Sequence, residues 1–134
     1  MTAHAKGSFE VDIAPLAVND KATDSGVGRM SLNKTFVGDL DATSKGEMLT
    51  AMTSVKGSAG YVAIERVDGK LNGRPGTFAL QHSGTMTRGE PTLSITVVPD
   101  SGTGELTGLA GKLTIKIEDK THFYEFDYTL PEKP

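Results

Sequence analysis

The dipeptide Asn72-Gly73 stands between two runs that alternate in polarity, "GYVAIERVDGKL" and "RPGTFALQHSGTM". Asn-Gly favours the two-residue type I′ turn, because both central residues of that turn need positive φ, which glycine adopts freely and asparagine tolerates. Such a turn fixes the pairing of the two runs. Leu71 then sits opposite Arg74, Val67 opposite Phe78, Glu65 opposite Leu80, Ala63 opposite His82 and Tyr61 opposite Gly84. Side chains alternate across a strand, so these residues share one face, while Val62, Ile64, Arg66, Thr77, Ala79, Gln81 and Ser83 share the other. The ring of Tyr61 over Gly84 covers backbone that glycine leaves bare. Pro75 falls beside the turn, where a missing N–H is tolerated.

A second hairpin is written in "KLTIKIEDKTHFYEFDY". With the turn at Asp119-Lys120, Gly111 meets Tyr128, Leu113 meets Phe126, Ile115 meets Tyr124 and Ile117 meets His122. The other face pairs Lys112 with Asp127 and Thr114 with Glu125, an opposite-charge pair and a polar pair suited to water. Glu125 and Asp127 therefore read as solvent-facing carboxylates rather than a glycosidase pair.

The rest of the chain repeats this grammar. Short alternating runs at 8–13, 28–37, 47–54, 60–67, 76–86, 92–98, 112–118 and 122–130 give eight candidate strands, and no window carries sustained helical apolar spacing. The expected architecture is one all-β domain over residues 1–134, an eight-stranded closed antiparallel barrel, since closure removes the edges that an open sheet must protect. A β-sandwich is the alternative. Residues 15–26, "PLAVNDKATDSG", read as the one long loop, the N-terminus around His4 as frayed, and "PEKP" as a solvated tail. "SGTGELTGLAG" (101–111) is glycine-rich, yet a strand follows it instead of the helix that a phosphate-binding loop requires, so its glycines serve tight turns and bulges.

Composition excludes several functions. The chain has no cysteine, which rules out a disulfide framework and a thiolate metal site, and its three scattered histidines are a weak basis for a zinc site; no metal and no cofactor are expected. A formal charge of −3 without a Lys/Arg cluster argues against nucleic acid and against an anionic membrane surface. "MTAHAKGSFEVDI" lacks the basic and apolar segments of a secretory signal, so the expected location is cytoplasmic.

"GYVAIERVDGKLNGRPGTFALQHSGTM", then "SGTGELTGLAGKLTI" and an aromatic last strand, resemble an uncharacterised family of small bacterial proteins placed with the allene oxide cyclase-like barrels. The resemblance runs from about Phe9 to Leu130, and "GTGELTGLAG" is also similar to a glycine pattern of allene oxide cyclases and plant dirigent proteins. It implies an eight-stranded, often homo-oligomeric barrel that shapes a cavity around an organic molecule. No catalytic motif of the cyclases or dirigents is visible, so no residue role is carried over.

Within the first hairpin, Glu65 and His82 are diagonal neighbours on the face that also holds Tyr61, Phe78 and Leu80. A carboxylate and an imidazole on an apolar face can form an acid–base pair, because desolvation and mutual charge tune both groups. They can equally satisfy one another as a buried structural pair, or face outward if the barrel is turned. Tyr61, Phe78 and Leu80, with Gln81, Glu47, Tyr124 and Tyr128, are the candidate ligand contacts. For Tyr124 and Tyr128 the alternative is ordinary core; for Glu47, and for Lys34, it is a solvated face. Three functions stay open: a barrel binding a small, mainly apolar organic molecule, a cofactor-independent isomerase or cyclase using Glu65 and His82, and a filled barrel acting through protein assembly.

Overall fold

The computed structural model describes residues 2–17 and 26–131. Eight strands follow one another: β1 (Ala3–Leu16), β2 (Val27–Gly38), β3 (Leu40–Met52), β4 (Ala59–Leu71), β5 (Arg74–Thr87), β6 (Glu90–Val97), β7 (Ala110–Glu118) and β8 (Thr121–Thr129). Each pairs antiparallel with the next and β8 returns to β1, closing a barrel rather than a sandwich. Among the described residues no helix is long and apolar enough to cross a membrane.

Both expected registers are present. Asn72 and Gly73 take φ of 49° and 83°, and β4 pairs with β5 through Val67↔Phe78, Glu65↔Leu80 and Tyr61↔Gly84. Asp119 and Lys120 also adopt positive φ, 48° and 68°, and β7 pairs with β8 through Leu113↔Phe126 and Gly111↔Tyr128. A turn of the same geometry thus forms without glycine, carried by the strands that it joins.

Three boundaries differ from expectation. β1 begins at Ala3, so His4 is not frayed: it pairs with Asp127 of β8 and its ring meets the Asp127 carboxylate. β3 begins at Leu40 rather than residue 47, because "LDATSKG" alternates polar outward residues with the small inward residues Ala42, Ser44 and Gly46 and so lacks apolar contrast. Of the expected loop at 15–26, Pro15 and Leu16 belong to β1, and residues 18–25 lie outside the described residues, as do 132–134 of the tail.

The two ends of the barrel are finished differently. At one end the connection between β6 and β7 folds inward through a 3-10 turn, Gly104–Leu106, which buries Leu106 and Leu109 against Leu40, Leu71, Phe126 and Tyr128. The glycines of that connection do more than bend it. An added Cβ at Gly76 would lie 2.2 Å from the Thr103 carbonyl oxygen, so the bare strand is what lets the segment settle against β5. Tyr124 locks the same end by accepting from the Leu40 N–H at 2.8 Å and donating to the Val37 carbonyl at 2.9 Å.

At the other end no connection among the described residues folds in comparably. There β6 and β7 pair only through Ile95↔Leu113 and Thr96↔Lys112, and their remaining residues toward the mouth lack ladder partners across the seam. Val98 donates to the Ala79 carbonyl, and the β5–β6 register then turns the backbone groups of Pro91, Leu93 and Ile95 away from β5 and toward that seam. Pro91 fits there because it has no N–H to leave unpaired.

Candidate functional site

Midway along the barrel a group of polar side chains interrupts the apolar interior. Glu65 of β4 is fully buried, and Lys34, Ser44 and His82 around it are buried almost as completely. One carboxylate oxygen, Oε2, accepts from Lys34 Nζ at 2.9 Å and pairs with His82 Nε2 at 2.5 Å; the other, Oε1, accepts from Ser44 Oγ at 2.7 Å. Among the described residues no buried side-chain nitrogen or oxygen lacks a partner. The cluster is therefore a completed network of the kind that a low-dielectric interior tolerates.

Local sequence explains the assembly. Gly46 faces Glu65 in the β3–β4 register, and a Cβ there would lie 2.1 Å from the Ile64 carbonyl oxygen, so a side chain would drive the strands apart beside the carboxylate. Lys34 lies between Leu32 and Phe36 on the inward face of β2, its ammonium 4.9 Å from the Phe9 ring centroid and 5.7 Å from that of Phe36. Those aromatic faces add cation–π attraction to the ion pair.

Burial pushes the Glu65 carboxyl up, but the hydrogen bond from His82 and the charge and hydrogen bond of Lys34 outweigh it and hold the group at about 2. An ionised Glu65 can only accept, so the proton on the shared hydrogen bond belongs to His82 Nε2. In the neutral imidazole, Nδ1 is then an acceptor, and it faces the Tyr61 hydroxyl at 3.3 Å. The chain of contacts runs Tyr61, His82, Glu65, Lys34. Burial first, and the Glu65 charge second, raise the Tyr61 phenol above its ordinary value.

Tyr61 also borders an open cavity of about 320 Å³ at the mouth, walled by Met48, Met52, Met86, Pro91 and Leu93. The other expected contacts lie elsewhere. Phe78, Leu80, Tyr124 and Tyr128 are packed in the core, with Phe78 stacked on Phe126 at 5.9 Å between centroids. Gln81 and Glu47, expected to reach a ligand, point outward: alternation puts Gln81 opposite in sense to His82, and Glu47 accepts from Arg29 Nε at 2.6 Å on the surface. Lys34 goes the other way, into the barrel, and its shared parity with Leu32 and Phe36 was the signal for that. Ser44 and the methionines of the mouth complete the site, and sequence reasoning missed them.

A larger groove of about 650 Å³ runs past Phe9 and His122, but Ser8, Glu10, Thr35, Lys120 and Thr121 make it a wetted surface. No group of three or more His, Asp or Glu side chains among the described residues is placed to hold a metal ion.

Residues 5–128 match the model of a family described as a protein of unknown function, DUF3224. The chain belongs to the DUF3224 family. A crystal structure of a DUF3224 protein of unknown function from Shewanella oneidensis MR-1 is 52% identical in sequence, with a TM-score of 0.91 over 99% of this chain and 100% of that one. No curated protein matches the chain. The barrel is thus shared with a DUF3224 relative whose own description assigns no activity.

Proposed function

We propose that this DUF3224 protein binds a small, mainly apolar organic molecule at the open mouth of its barrel, and that the fold is of the allene oxide cyclase-like kind. The observation that carries the reading is the apolar cavity bordered by Tyr61 in a barrel whose other end is filled. Apolar surface left in water costs about 25 cal/mol per Å². Met52, Met86 and Leu93 expose much of theirs at this rim, and an apolar occupant would remove it from solvent. The sequential order of the eight strands supports the fold assignment.

One observation favours a second reading, a cofactor-independent isomerase or cyclase. The contacts from Tyr61 through His82 to Glu65 resemble a nucleophile–base–orienter chain with a phenol at its outer end. Glu65 and His82 are themselves closed off from the cavity, so in this reading they act through Tyr61.

The deciding experiment is mass spectrometry on protein purified under native conditions and then denatured. Recovery of the same small apolar compound in unaltered form from independent preparations supports binding. Conversion of that compound on prolonged incubation, abolished by Tyr61→Phe, selects the isomerase. Protein that releases no compound and takes up no apolar probe contradicts both.

A further inference from the structure

Three of the chain's five methionines, Met48, Met52 and Met86, line the mouth cavity, and a fourth, Met30, is the register partner of Met48. Among the described residues, the filled part of the barrel uses Leu, Phe, Val, Ile, Ala and Tyr and buries no methionine. The two regions thus differ in the kind of apolar side chain as well as in packing. A thioether is polarisable, sits on a flexible unbranched chain, and makes favourable contacts with aromatic rings. Such a rim adapts to a flat partner better than branched side chains do.

The remaining wall narrows the occupant further. The Tyr61 ring lies against Gly84, where an added Cβ would come 2.4 Å from Cε1, so the glycine is what gives the ring its place beside the cavity. Among the described residues no Lys, Arg, His, Asp or Glu lines the cavity. The Lys34 ammonium is held by Glu65, and the Tyr61 hydroxyl turns to His82. A carboxylate or phosphate entering here would lose hydration without gaining a counter-ion from these residues.

Resting on the reading of the mouth as a binding site, we infer that its occupant is a neutral aromatic molecule, held between the Met48, Met52 and Met86 thioethers and the Tyr61 ring. The methionines supply the preference for aromatic over aliphatic ligands.

The test uses the full chain and three probes: phenylnaphthylamine, its sulfonated analogue anilinonaphthalene sulfonate, and decanol. Fluorescence titration reads the first two, and displacement of phenylnaphthylamine or calorimetry reads decanol. Phenylnaphthylamine is expected to bind at least tenfold more tightly than the sulfonate. The volume-conserving variant Met48→Leu/Met52→Leu/Met86→Leu should weaken phenylnaphthylamine roughly three- to tenfold while leaving decanol unchanged. Met52→Leu alone, at a residue 76% exposed and so without consequence for folding, should show the same sign of change and guards against an unfolded triple variant.

Equal phenylnaphthylamine affinity in wild type and both variants would overturn the role of the sulfurs. Equal or tighter binding of the sulfonate would overturn neutrality. Binding of decanol without phenylnaphthylamine would overturn the aromatic class while sparing the cavity, and binding of neither would bring down the binding reading as well.

Discussion

At the filled end of the barrel Leu71, Leu106, Leu109 and Phe126 are at most 2% exposed, whereas at the mouth Met52 is 76% and Ile117 63% exposed. Both sets belong to strands or connections with inward apolar residues. What separates them is how each end is finished. The connection from Val98 to Leu109 turns back into the barrel and supplies two leucines, while the hairpins at Arg88-Gly89 and Asp119-Lys120 are too short to supply anything. An eight-stranded barrel stands at the boundary between full and hollow, and among the described residues one inward-folding connection makes the difference between the two ends.

The Lys34–Glu65–His82 network forms the layer between the two regions, and its removal gives the largest expected effect. Glu65→Gln preserves shape but leaves the Lys34 ammonium buried without its counter-ion, at an expected cost of about 3–5 kcal/mol in chemical denaturation. A loss below about 1 kcal/mol would mean that water reaches the network from the mouth, and the filled region would have to be drawn smaller.

The closed end itself comes next. Leu106→Ala removes the inserted side chain and should destabilise the protein by about 3 kcal/mol through lost burial and the cavity left behind. A near-neutral result would show that the 3-10 turn does not hold this end shut, and the contrast between the ends would lose its cause.

Acid probes the same middle layer without mutation. Glu65 is held at about 2 against an ordinary value of 4.5, so between those pH values the unfolded chain binds the proton that the folded chain refuses. The contribution is present in full above pH 4.5 and disappears as pH falls through about 2. Its size is of order 3 kcal/mol. Denaturation series from pH 6 downward should show wild type losing roughly this much more than Glu65→Gln. Parallel profiles would place the acid sensitivity elsewhere.

Much of this contrast was readable in the chain, though unevenly. Asn72-Gly73 and the tyrosine–glycine pairs located two registers, and from them the approach of His82 to Glu65 followed by parity alone. The same parity argument reaches Lys34, which alternates with Leu32 and Phe36; its charge suggests water, and only the carboxylate supplied by β4 overrides that. Ser44 and Gly46 were harder to find, because a strand whose inward residues are small shows no apolar stripe. Least legible were the ends. Whether "GTGELTGLAG" bends outside the barrel or inserts Leu106 and Leu109 depends on space left by Gly76 on another strand, a relation that no local pattern contains.

The smallest expected effect is at the mouth. Met52 projects from the last residue of β3 with three quarters of its surface in solvent, so in the free protein Met52→Gln gives up almost no packing and should change stability by less than about 0.5 kcal/mol. The same substitution at a packed position would introduce a buried amide and cost several times more. Comparing Met52→Gln with Leu106→Ala by denaturant titration therefore measures the difference between the ends directly. A loss at Met52 approaching that at Leu106 would mean that the rim is covered in the free protein, and the mouth would then be a second packed end rather than an open one. With Met52→Gln near neutral, weaker uptake of an apolar probe by that variant assigns the exposed thioether to ligand contact rather than to folding.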